Sequence, residues 1–383
     1  MNKLTSYTFT AVSVLILTAC GGKSAGTGTR HLTTYDPEYA KGYTIAETAE
    51  GSTVINVVNP WQGAEKVSSG LIITRSGQKA PEKFTGSVLA DSAKRIVAMS
   101  STHVAMLEAL GCADRIVGVS GIDYISSPYI QSHREQIKDV GYEGNVDYEL
   151  LISLRPDIVL IYGVNSASPM EKKLKELKIP FMYVGDYLED SPIGKAEWMV
   201  PLAEITGNRD KGIEYFNRSK EAYNELASAI GDSLKSGAIS TSRVMINTPY
   251  GDVWYIPSGE SYMSRLVADA GGELPLSGNK STASATIDME KAYSLAADCD
   301  VWINVENAAS ANALKRNLPR FATVPAVKSG RVYANNLRST PGGGNDFYES
   351  GIVNPHLILR DLVNIIHPSL LGDSVLHYYR KLN

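Results

Sequence analysis

The sequence predicts two Rossmann-like α/β lobes joined by one long α-helix, and three observations lead to this prediction. From residue 95 onward, short apolar runs alternate with segments of helical periodicity, the pattern of a parallel sheet with crossover helices. A long amphipathic segment, 208–236, interrupts this alternation. The alternation then restarts, so two halves of similar plan flank a helix of roughly 40 Å.

The composition is that of an ordinary globular protein. The chain has 383 residues, of which 43% are hydrophobic and 20% are charged, which excludes collagen-like and disordered classes. This length favours two domains, each large enough to bury a core of its own. The net charge of -4 provides no basic field for binding nucleic acid.

The N-terminus resembles the signal of a bacterial lipoprotein. Lys3 precedes an apolar run, Tyr7 to Leu17, that is too short to span a membrane, and the run ends in Leu-Thr-Ala-Cys with Cys20 last. The resemblance implies that residues 1–19 are a signal peptide, that Cys20 carries lipid, and that 20–35 is a tether. We therefore expect a periplasmic protein anchored to a membrane by lipid, or one on the outer face of the cell membrane in a Gram-positive organism. An ordinary signal peptide with a chance cysteine is the alternative.

The two other cysteines, Cys112 and Cys299, lie in separate halves of the chain and show no metal-binding spacing. We expect both to be small buried apolar residues rather than partners in a disulfide.

The first lobe is predicted to span 36–207. Its introductory segment, 36–93, contains two predicted strands but carries no signal of function. A strand at Arg95–Met99 then leads into a helix that Ser100–Thr102 caps and Gly111 ends. The other predicted strands are 54–58, 71–74, 115–119, 158–162 and 181–184, and the other predicted helices are 147–154 and 171–178.

Two helices are predicted at the junction of the halves. Residues 195–205 form one helix that Pro201 kinks. Asn208 is expected to cap the next helix, which runs to about Lys235 and connects the lobes as a rigid strut. The second lobe, 237–383, repeats the plan with strands at 243–247, 301–305 and 331–334 and helices at 262–270, 289–297 and 352–366.

Several stretches resemble, in order and spacing, signatures of the helical-backbone periplasmic binding proteins. Arg95–Ser120 resembles the opening of these proteins, and LLISLRPDIVLIYG, beginning at Leu150, resembles their second signature. Later matches are LKELKIPFMYV, LAEITGNRDKG, SRLVADAGGE and VPAVKSGRVYANN, and together the matches cover residues 95–370. The family consists of the substrate-binding proteins of ABC importers for iron–siderophores, haem and cobalamin.

The resemblance implies a protein that captures a metal chelate in a cleft between its lobes and delivers it to a membrane permease and its ATPase. That role breaks no bond and needs no cofactor, and a monomer is expected. The stiff interlobe helix implies a small hinge motion. The alternative is a lipid-anchored extracytoplasmic α/β hydrolase.

The candidate cleft walls are the loops after the strands, because ligand crevices of open α/β sheets lie beyond the carboxyl ends of their strands. Aromatic side chains there would bury a large, flat, partly apolar chelate, although each one alone also fits a core or rim position. The candidate ligand-binding residues are Ser101, Thr102, His103, Tyr124, Tyr142, Tyr162 and Tyr187 in the first lobe and Trp254, Tyr255, Arg338, Phe347 and Tyr348 in the second, with Trp254 and Tyr255 as alternatives at one position.

Two of these residues carry specific expectations. In siderophore-binding relatives, cleft arginines such as Arg338 pair with carboxylates or with the anionic chelate; a surface arginine is the alternative. No arginine lies in a matching loop of the first lobe, which departs from the anionic-siderophore pattern and leaves the ligand class open. His103 is expected to face the cleft and contact ligand or its metal, or else to be a capped or solvated side chain. The histidines do not follow the pattern of manganese- and zinc-binding relatives, so a bare metal ion is not expected.

Glu149 and Glu290 match the two lobe-tip glutamates of the family. The resemblance implies that these carboxylates pair with arginines of the permease, and such charges steer and orient docking. Without the resemblance, either residue would be interpreted as a solvated surface side chain.

Overall fold

The computed structural model describes residues 34–75, 77–306, 308–372 and 375–383. The predicted signal peptide, Cys20 and residues 20–33 of the predicted tether lie outside these ranges. The last two tether residues, Thr34–Tyr35, form the first strand, β1. The chain has the predicted α/β architecture with two separate parallel sheets.

The introductory segment forms a five-stranded sheet, called here the N-terminal sheet, with strand order β1-β2-β3-β4-β5. The first four strands run antiparallel and β5 runs parallel to β4. Alternate residues of β3 are buried, as in a sheet with one face on a core. Its strands are β1, β2 (Tyr43–Glu47), β3 (Thr53–Val58), β4 (Ser68–Thr74) and β5 (Ser87–Ala90).

Three buried carboxylates, those of Glu189, Glu197 and Glu204, hold the N-terminal sheet on the first lobe. Glu197 and Glu189 together accept hydrogen bonds from five consecutive backbone N–H groups, residues 38–42, at 2.7–3.1 Å. Glu204 pairs with Arg75 at 2.6 Å. The N-terminal sheet is therefore fixed to the first lobe by charge-assisted hydrogen bonds.

The first lobe contains a parallel five-stranded sheet in the order β12-β11-β6-β7-β8. Every residue of β11 is buried, as expected for a strand covered on both faces. The predicted cap is confirmed, since the Ser100 side chain accepts a hydrogen bond from the backbone of Thr102. The elements are β6 (Ile96–Ala98), α1 (Ser101–Ala109), β7 (Ile116–Val119), α2 (Pro128–Ser132), β8 (Lys138–Asp139), the hairpin β9 (Gly141–Tyr142) and β10 (Asn145–Val146), α3 (Tyr148–Ser153), β11 (Ile158–Ile161), α4 (Pro169–Leu177) and β12 (Phe181–Tyr183).

The single helix predicted at 195–205 is wrong, because two helices, α5 (Pro192–Glu197) and α6 (Met199–Thr206), meet at Trp198. Pro201 lies in the first turn of α6, where the missing backbone N–H has no helical partner to lose. The break allows the Trp198 ring to pack edge-on to Tyr43 of the N-terminal sheet, 5.0 Å between centroids.

The predicted long helix is α7, Arg209–Lys235. It packs against α6 of the first lobe, and Gly212 permits this close approach because a Cβ there would lie 2.3 Å from the Ala203 Cβ. The expected side-chain cap is wrong: the Asn208 amide instead donates a hydrogen bond to the Cys112 Sγ at 3.0 Å.

The second lobe has a smaller parallel sheet, in the order β15-β13-β17, flanked by two antiparallel pairs, β14 with β16 and β18 with β19. The predicted helix 352–366 begins only at Pro355, after a 3-10 turn. The elements are β13 (Ser242–Ile246), β14 (Trp254–Pro257), α8 (Tyr262–Asp269), β15 (Gly272–Glu273), β16 (Ser284–Ile287), α9 (Met289–Ala296), β17 (Val301–Ile303), α10 (Ala311–Asn317), α11 (Pro325–Lys328), β18 (Tyr333–Ala334), α12 (Pro355–Ile366) and β19 (Arg380–Lys381).

One apolar core runs through the N-terminal sheet, the first lobe, α7 and the adjoining face of the second lobe, including Ile246 and Leu266. A second core lies inside the second lobe. Cys112 and Cys299 are buried free thiols, as predicted. Within the described ranges, no helix is both long and apolar enough to cross a membrane.

Candidate functional site

Five of the predicted cleft aromatics expose a large part of their rings to solvent. Tyr124, Tyr142 and Tyr187 follow strands of the first lobe, and Tyr255 and Tyr348 belong to the second. Exposed aromatic rings on loops of both lobes provide walls for an apolar ligand surface. Their contact with ligand stays a prediction.

The first-lobe wall is held by Asp139, whose carboxylate accepts the backbone N–H groups of Gly121 and Ile122, both at 3.0 Å. Gly121 has a φ of 63° and lies under the Tyr142 ring, where a Cβ would meet a ring carbon at 2.8 Å. A glycine is required there on both grounds. The rings of Tyr142 and Tyr124 are 6.5 Å apart between centroids, so they form one aromatic surface.

Tyr187 and Tyr162 form the next part of this wall. The Tyr187 hydroxyl donates hydrogen bonds to the backbone carbonyls of Gly163 and, at 3.1 Å, Val164. The pKa of both phenols is raised, mainly by burial. Both hydroxyls therefore stay neutral at physiological pH and can form hydrogen bonds.

His103 does not reach the cleft surface, contrary to the expectation of ligand contact. It is completely buried in α1, edge-on to Tyr162 at 6.5 Å between ring centroids. Burial lowers its pKa to about 3, opposed only in part by the Leu160 backbone. Neither ring nitrogen has a partner of good hydrogen-bond geometry. A neutral imidazole covered by protein has no access to a bound metal.

Ser101 and Thr102 are half-buried at the start of α1. The Thr102 hydroxyl donates to the Asp186 carboxylate at 3.4 Å. Burial raises the pKa of Asp186 to about 6, and Lys195 and Thr102 oppose that rise. Thr102 is therefore already engaged by a buried acid.

Trp254 is also a correction, because it is buried inside the second lobe, whereas Phe347, although buried, lines the cavity between the lobes beside Tyr348. Trp254 stacks on Phe321 with 5.2 Å between centroids, and its Nε1 donates to a backbone carbonyl. Side chains alternate along a strand, so the neighbouring Tyr255 points outward; of the two alternatives, the structure exposes Tyr255. Phe347 packs edge-on beneath Tyr348 at 4.9 Å and supports that ring.

Arg338 is not a free cation. Its Nε lies 2.5 Å from an Asp346 carboxylate oxygen, and about half of its side chain is exposed. The carboxylate compensates the charge, which weakens the expectation that Arg338 pairs with an anionic ligand.

A cavity of about 380 Å³ lies between the lobes. It is lined by Gln62 from the connection between β3 and β4, by Lys195 of the first lobe and by Tyr262 of the second lobe. The Lys195 ammonium is buried, donates to the Asp186 carbonyl at 3.0 Å and lies 4.9 Å from the centre of the Tyr262 ring.

The sequence analysis missed these three residues. Lys195 has a visible signal, since it is a lone lysine in the apolar stretch Pro192–Pro201. Gln62 has none, because only the folded turn that binds its backbone N–H to the Val164 carbonyl, at 2.9 Å, places it here.

The lobes also meet directly at Glu349, called here the junction glutamate. Its buried carboxylate accepts the N–H and hydroxyl of Ser126, at 2.6 and 2.7 Å, and the N–H of Ser127 at 2.9 Å. Burial raises its pKa to about 7 despite these bonds. Gly342 of the second lobe also packs closely against the first lobe. A Cβ added at Gly342 would lie 2.2 Å from the Asp123 carbonyl oxygen.

Glu149 and Glu290 are both exposed, in the first turns of α3 and α9. An aspartate two residues before each glutamate caps the helix. Asp147 accepts a hydrogen bond from the N–H of residue 150 at 2.9 Å, and Asp288 accepts one from the N–H of residue 291 at 2.7 Å. This repeated Asp-x-Glu is a signal that the sequence analysis missed. It places the two carboxylates at equivalent positions on the two lobes.

No group of three or more His, Cys, Asp and Glu side chains suited to a metal ion occurs in the part of the chain that the structure describes. The cleft therefore offers aromatic faces and hydrogen-bonding groups.

Comparisons with known proteins identify relatives of this arrangement. A family model described as periplasmic binding protein matches residues 96–336. An uncharacterized lipoprotein of Methanocaldococcus jannaschii is 25% identical over 372 residues, 90% of this chain and 85% of that protein. An uncharacterized ABC transporter substrate-binding lipoprotein of Bacillus subtilis is 30% identical over 133 residues, 34% of this chain and 39% of that protein.

Two solved structures share the fold. A periplasmic heme binding protein of Pseudomonas aeruginosa superposes with a TM-score of 0.57 at 18% identity, over 76% of this chain and 98% of that one. The periplasmic vitamin B12 binding protein of Vibrio cholerae has a TM-score of 0.53 at 14% identity, over 74% and 100% of the two chains.

Proposed function

Since this chain belongs to the periplasmic binding protein family, whose members are the substrate-binding proteins of ABC transporters, we propose that it captures a metal chelate and delivers it to an importer. The chelate is an iron–siderophore, a cobalamin or a haem. The observation that supports the proposal is the exposed tyrosine rings on both lobes, Tyr124 and Tyr142 on the first and Tyr255 and Tyr348 on the second. Such walls suit a bulky, flat, partly apolar cargo.

The lobe arrangement supports this role. A long helix, α7, packs on elements of both lobes, and an interlobe cavity lies beside the aromatic loops. The similar solved structures include proteins named for heme and for vitamin B12. Function then depends on the affinity of the cleft and on recognition of the loaded protein by the permease.

Ligand-induced thermal stabilisation tests the proposal, because a ligand that binds only the folded state raises the melting temperature. The purified protein is heated with ferrichrome, ferric enterobactin, cyanocobalamin or hemin. We expect a concentration-dependent rise with at least one chelate. The absence of any rise with all four would contradict the proposal. Iron-free desferri-ferrichrome serves as the control for nonspecific stabilisation.

We also propose that the protein is a monomer anchored through Cys20. The lipobox-like sequence supports this, and relatives of the chain are named lipoproteins. In cells fed a labelled fatty acid, the native protein should carry label and partition with membranes. Cys20→Ser should abolish both properties. Label retained by the variant would contradict the anchor.

The permease is proposed to dock on Glu149 and Glu290. Both are exposed and equivalently placed after an aspartate cap, and neither makes an ion pair among the described residues. Replacing both by Ala should leave chelate binding intact and reduce uptake in cells. Replacing the exposed Glu225 of α7 together with Glu221 is the matched control for lost charge. Loss of chelate binding in the docking pair would contradict the assignment.

A further inference from the structure

The loops that form the cleft walls carry more acidic than basic side chains. Arg338 is their single lysine or arginine, and it is paired with Asp346 at 2.5 Å. The other acids are Asp123, Asp186 and Asp252. The loops counted are 100–103, 121–124, 162–166, 186–187, 250–256 and 337–348. Asp123 is in turn paired with Arg134, and Asp186 lies beside Lys195, so these loops offer an anionic cargo no unpaired positive charge.

In the interlobe cavity, too, carboxylates compensate the positive charge. Its buried cation, Lys195, is accompanied by two buried carboxyl groups, those of Asp186 and Glu189, which act on it electrostatically. Asp190, which also lines the cavity, pairs with Arg265 at 3.3 Å and with Lys41 at 2.9 Å. An anion entering the cavity would lose its hydration without gaining an uncompensated positive charge.

Hydrogen-bond donors nevertheless remain available to a ligand. An ammonium group has three N–H donors, and Lys195 uses one of them, on the Asp186 carbonyl. Within the described ranges, the Gln62 amide and the Tyr262 hydroxyl make no side-chain hydrogen bond, and both residues line the cavity. Donors that are neutral, or whose positive charge nearby carboxylates compensate, suit neutral carbonyl oxygens, such as those of carboxamides and hydroxamates.

We propose that the cleft selects an uncharged chelate with carboxamide or hydroxamate arms and discriminates against chelates that bear carboxylates or catecholates. This inference rests on the proposed function, because it names the chemical class of the cargo. It also assigns Gln62, which lies outside the residues that the family model matches, to the recognition of that cargo.

The first test compares dissociation constants of the unmodified protein for four probes. Cyanocobalamin and ferrichrome are uncharged, the first rich in carboxamides and the second a hydroxamate. Hemin bears carboxylates, and ferric enterobactin is an anionic catecholate. We expect one of the uncharged probes to bind at least about tenfold more tightly than both anionic ones, a difference of about 1.4 kcal/mol. Tighter or equal binding of an anionic probe overturns the inference and leaves the proposed function standing. No binding of any probe overturns the proposed function itself.

The second test changes the charge balance at constant shape. Asp186→Asn removes the carboxylate beside Lys195, which leaves the ammonium charge available to an anionic ligand. The affinity for the uncharged probe divided by the affinity for an anionic probe should therefore fall by about tenfold, which corresponds to about 1.4 kcal/mol. Asp232→Asn, on the exposed face of α7, makes the same change in net charge far from the cleft and should leave the ratio unchanged. An unchanged ratio in a folded Asp186→Asn protein overturns the inference.

Lys195→Met provides an independent measurement. It removes the free ammonium donors while keeping much of the side-chain volume, and affinity for the uncharged probe should fall by about tenfold. Circular dichroism shows whether each variant is folded. Unchanged affinity for the uncharged probe would show that Lys195 does not contact the cargo and would overturn the donor assignment.

Discussion

Glu197 provides the sharpest test of how the N-terminal sheet is attached. Its carboxylate is completely buried and accepts the backbone N–H groups of residues 38–40 at 2.7–2.8 Å and the Tyr35 hydroxyl at 2.7 Å. Glu197→Ala removes the acceptor for all four donors at once. The N–H of Ala40 is then left in the protein interior, while those of Glu38 and Tyr39 lie closer to solvent.

The expected loss follows from these environments. A buried donor without a partner costs about 1–3 kcal/mol, and the donors near water cost less because water replaces the carboxylate. Hydrogen bonds to a charged group contribute about 1.5–3 kcal/mol. We therefore expect Glu197→Ala to lower the free energy of unfolding of the N-terminal sheet by about 3 kcal/mol, and Glu197→Gln, which keeps one acceptor oxygen, to lower it by less.

Urea denaturation with circular dichroism measures the loss, and limited proteolysis locates it. Cleavage within residues 36–93 should appear in Glu197→Ala at urea concentrations where the native protein is intact. Glu225→Ala, an exposed glutamate on α7, removes the same charge and should change the unfolding free energy by less than about 0.5 kcal/mol. A loss below about 1 kcal/mol in Glu197→Ala, or protease sites spread evenly along the chain, would refute this account of the attachment.

Three other changes separate stability from binding. Burial raises the pKa of Glu349 to about 7 from an ordinary value of 4.5, so the folded protein retains a proton that the unfolded chain releases. The unfolding free energy should therefore fall by up to about 3 kcal/mol as pH rises through this window. Glu349→Gln should flatten that fall in urea titrations at several pH values; an equally steep fall would contradict the assignment. Trp254→Ala should cost about 3–5 kcal/mol of stability without changing the chelate affinity of the folded fraction, whereas Tyr255→Ala should weaken chelate binding without loss of stability; the reverse pattern would restore Trp254 to the cleft. Gln62→Ala should weaken chelate binding up to about tenfold, with the exposed neighbour Glu65→Ala unchanged as control, and equal affinities of the two variants would remove Gln62 from the site.

Local sequence signals predicted the framework of this fold because the physics that sets it is local. The continuous apolar run at Ile158–Ile161 is a strand buried on both faces. The Ser100 cap and the left-handed Gly111 act within one turn of the chain. The same reasoning placed α7 within a residue of its observed ends.

The parts that sequence reasoning did not find depend on distant partners. Asn208 has the right residue type for a cap, but its amide meets the Cys112 Sγ, which is far away in the chain. Glu197 gave no signal as the anchor of residues 38–40, because nothing local distinguishes it from an exposed helical glutamate. Trp254 and Tyr255 were alternatives at one position in the sequence, because only the folded strand β14 and its packing show that Trp254 is the buried ring.

The shared core limits how the cleft can work. Phe216 of α7, Val244 of the second lobe and Val104 of the first belong to one continuous apolar cluster, and the junction glutamate adds hydrogen bonds from Ser126 and Ser127 across the lobes. A large rotation of one lobe against the other would expose part of this cluster to water at about 25 cal/mol per Å² and would leave a buried carboxylate unpaired. Small movements about α7 avoid both costs. The walls are therefore largely preformed, so under the proposed function the selection among chelates depends on the fixed shape and charge balance of these walls rather than on a closure that each cargo would have to induce.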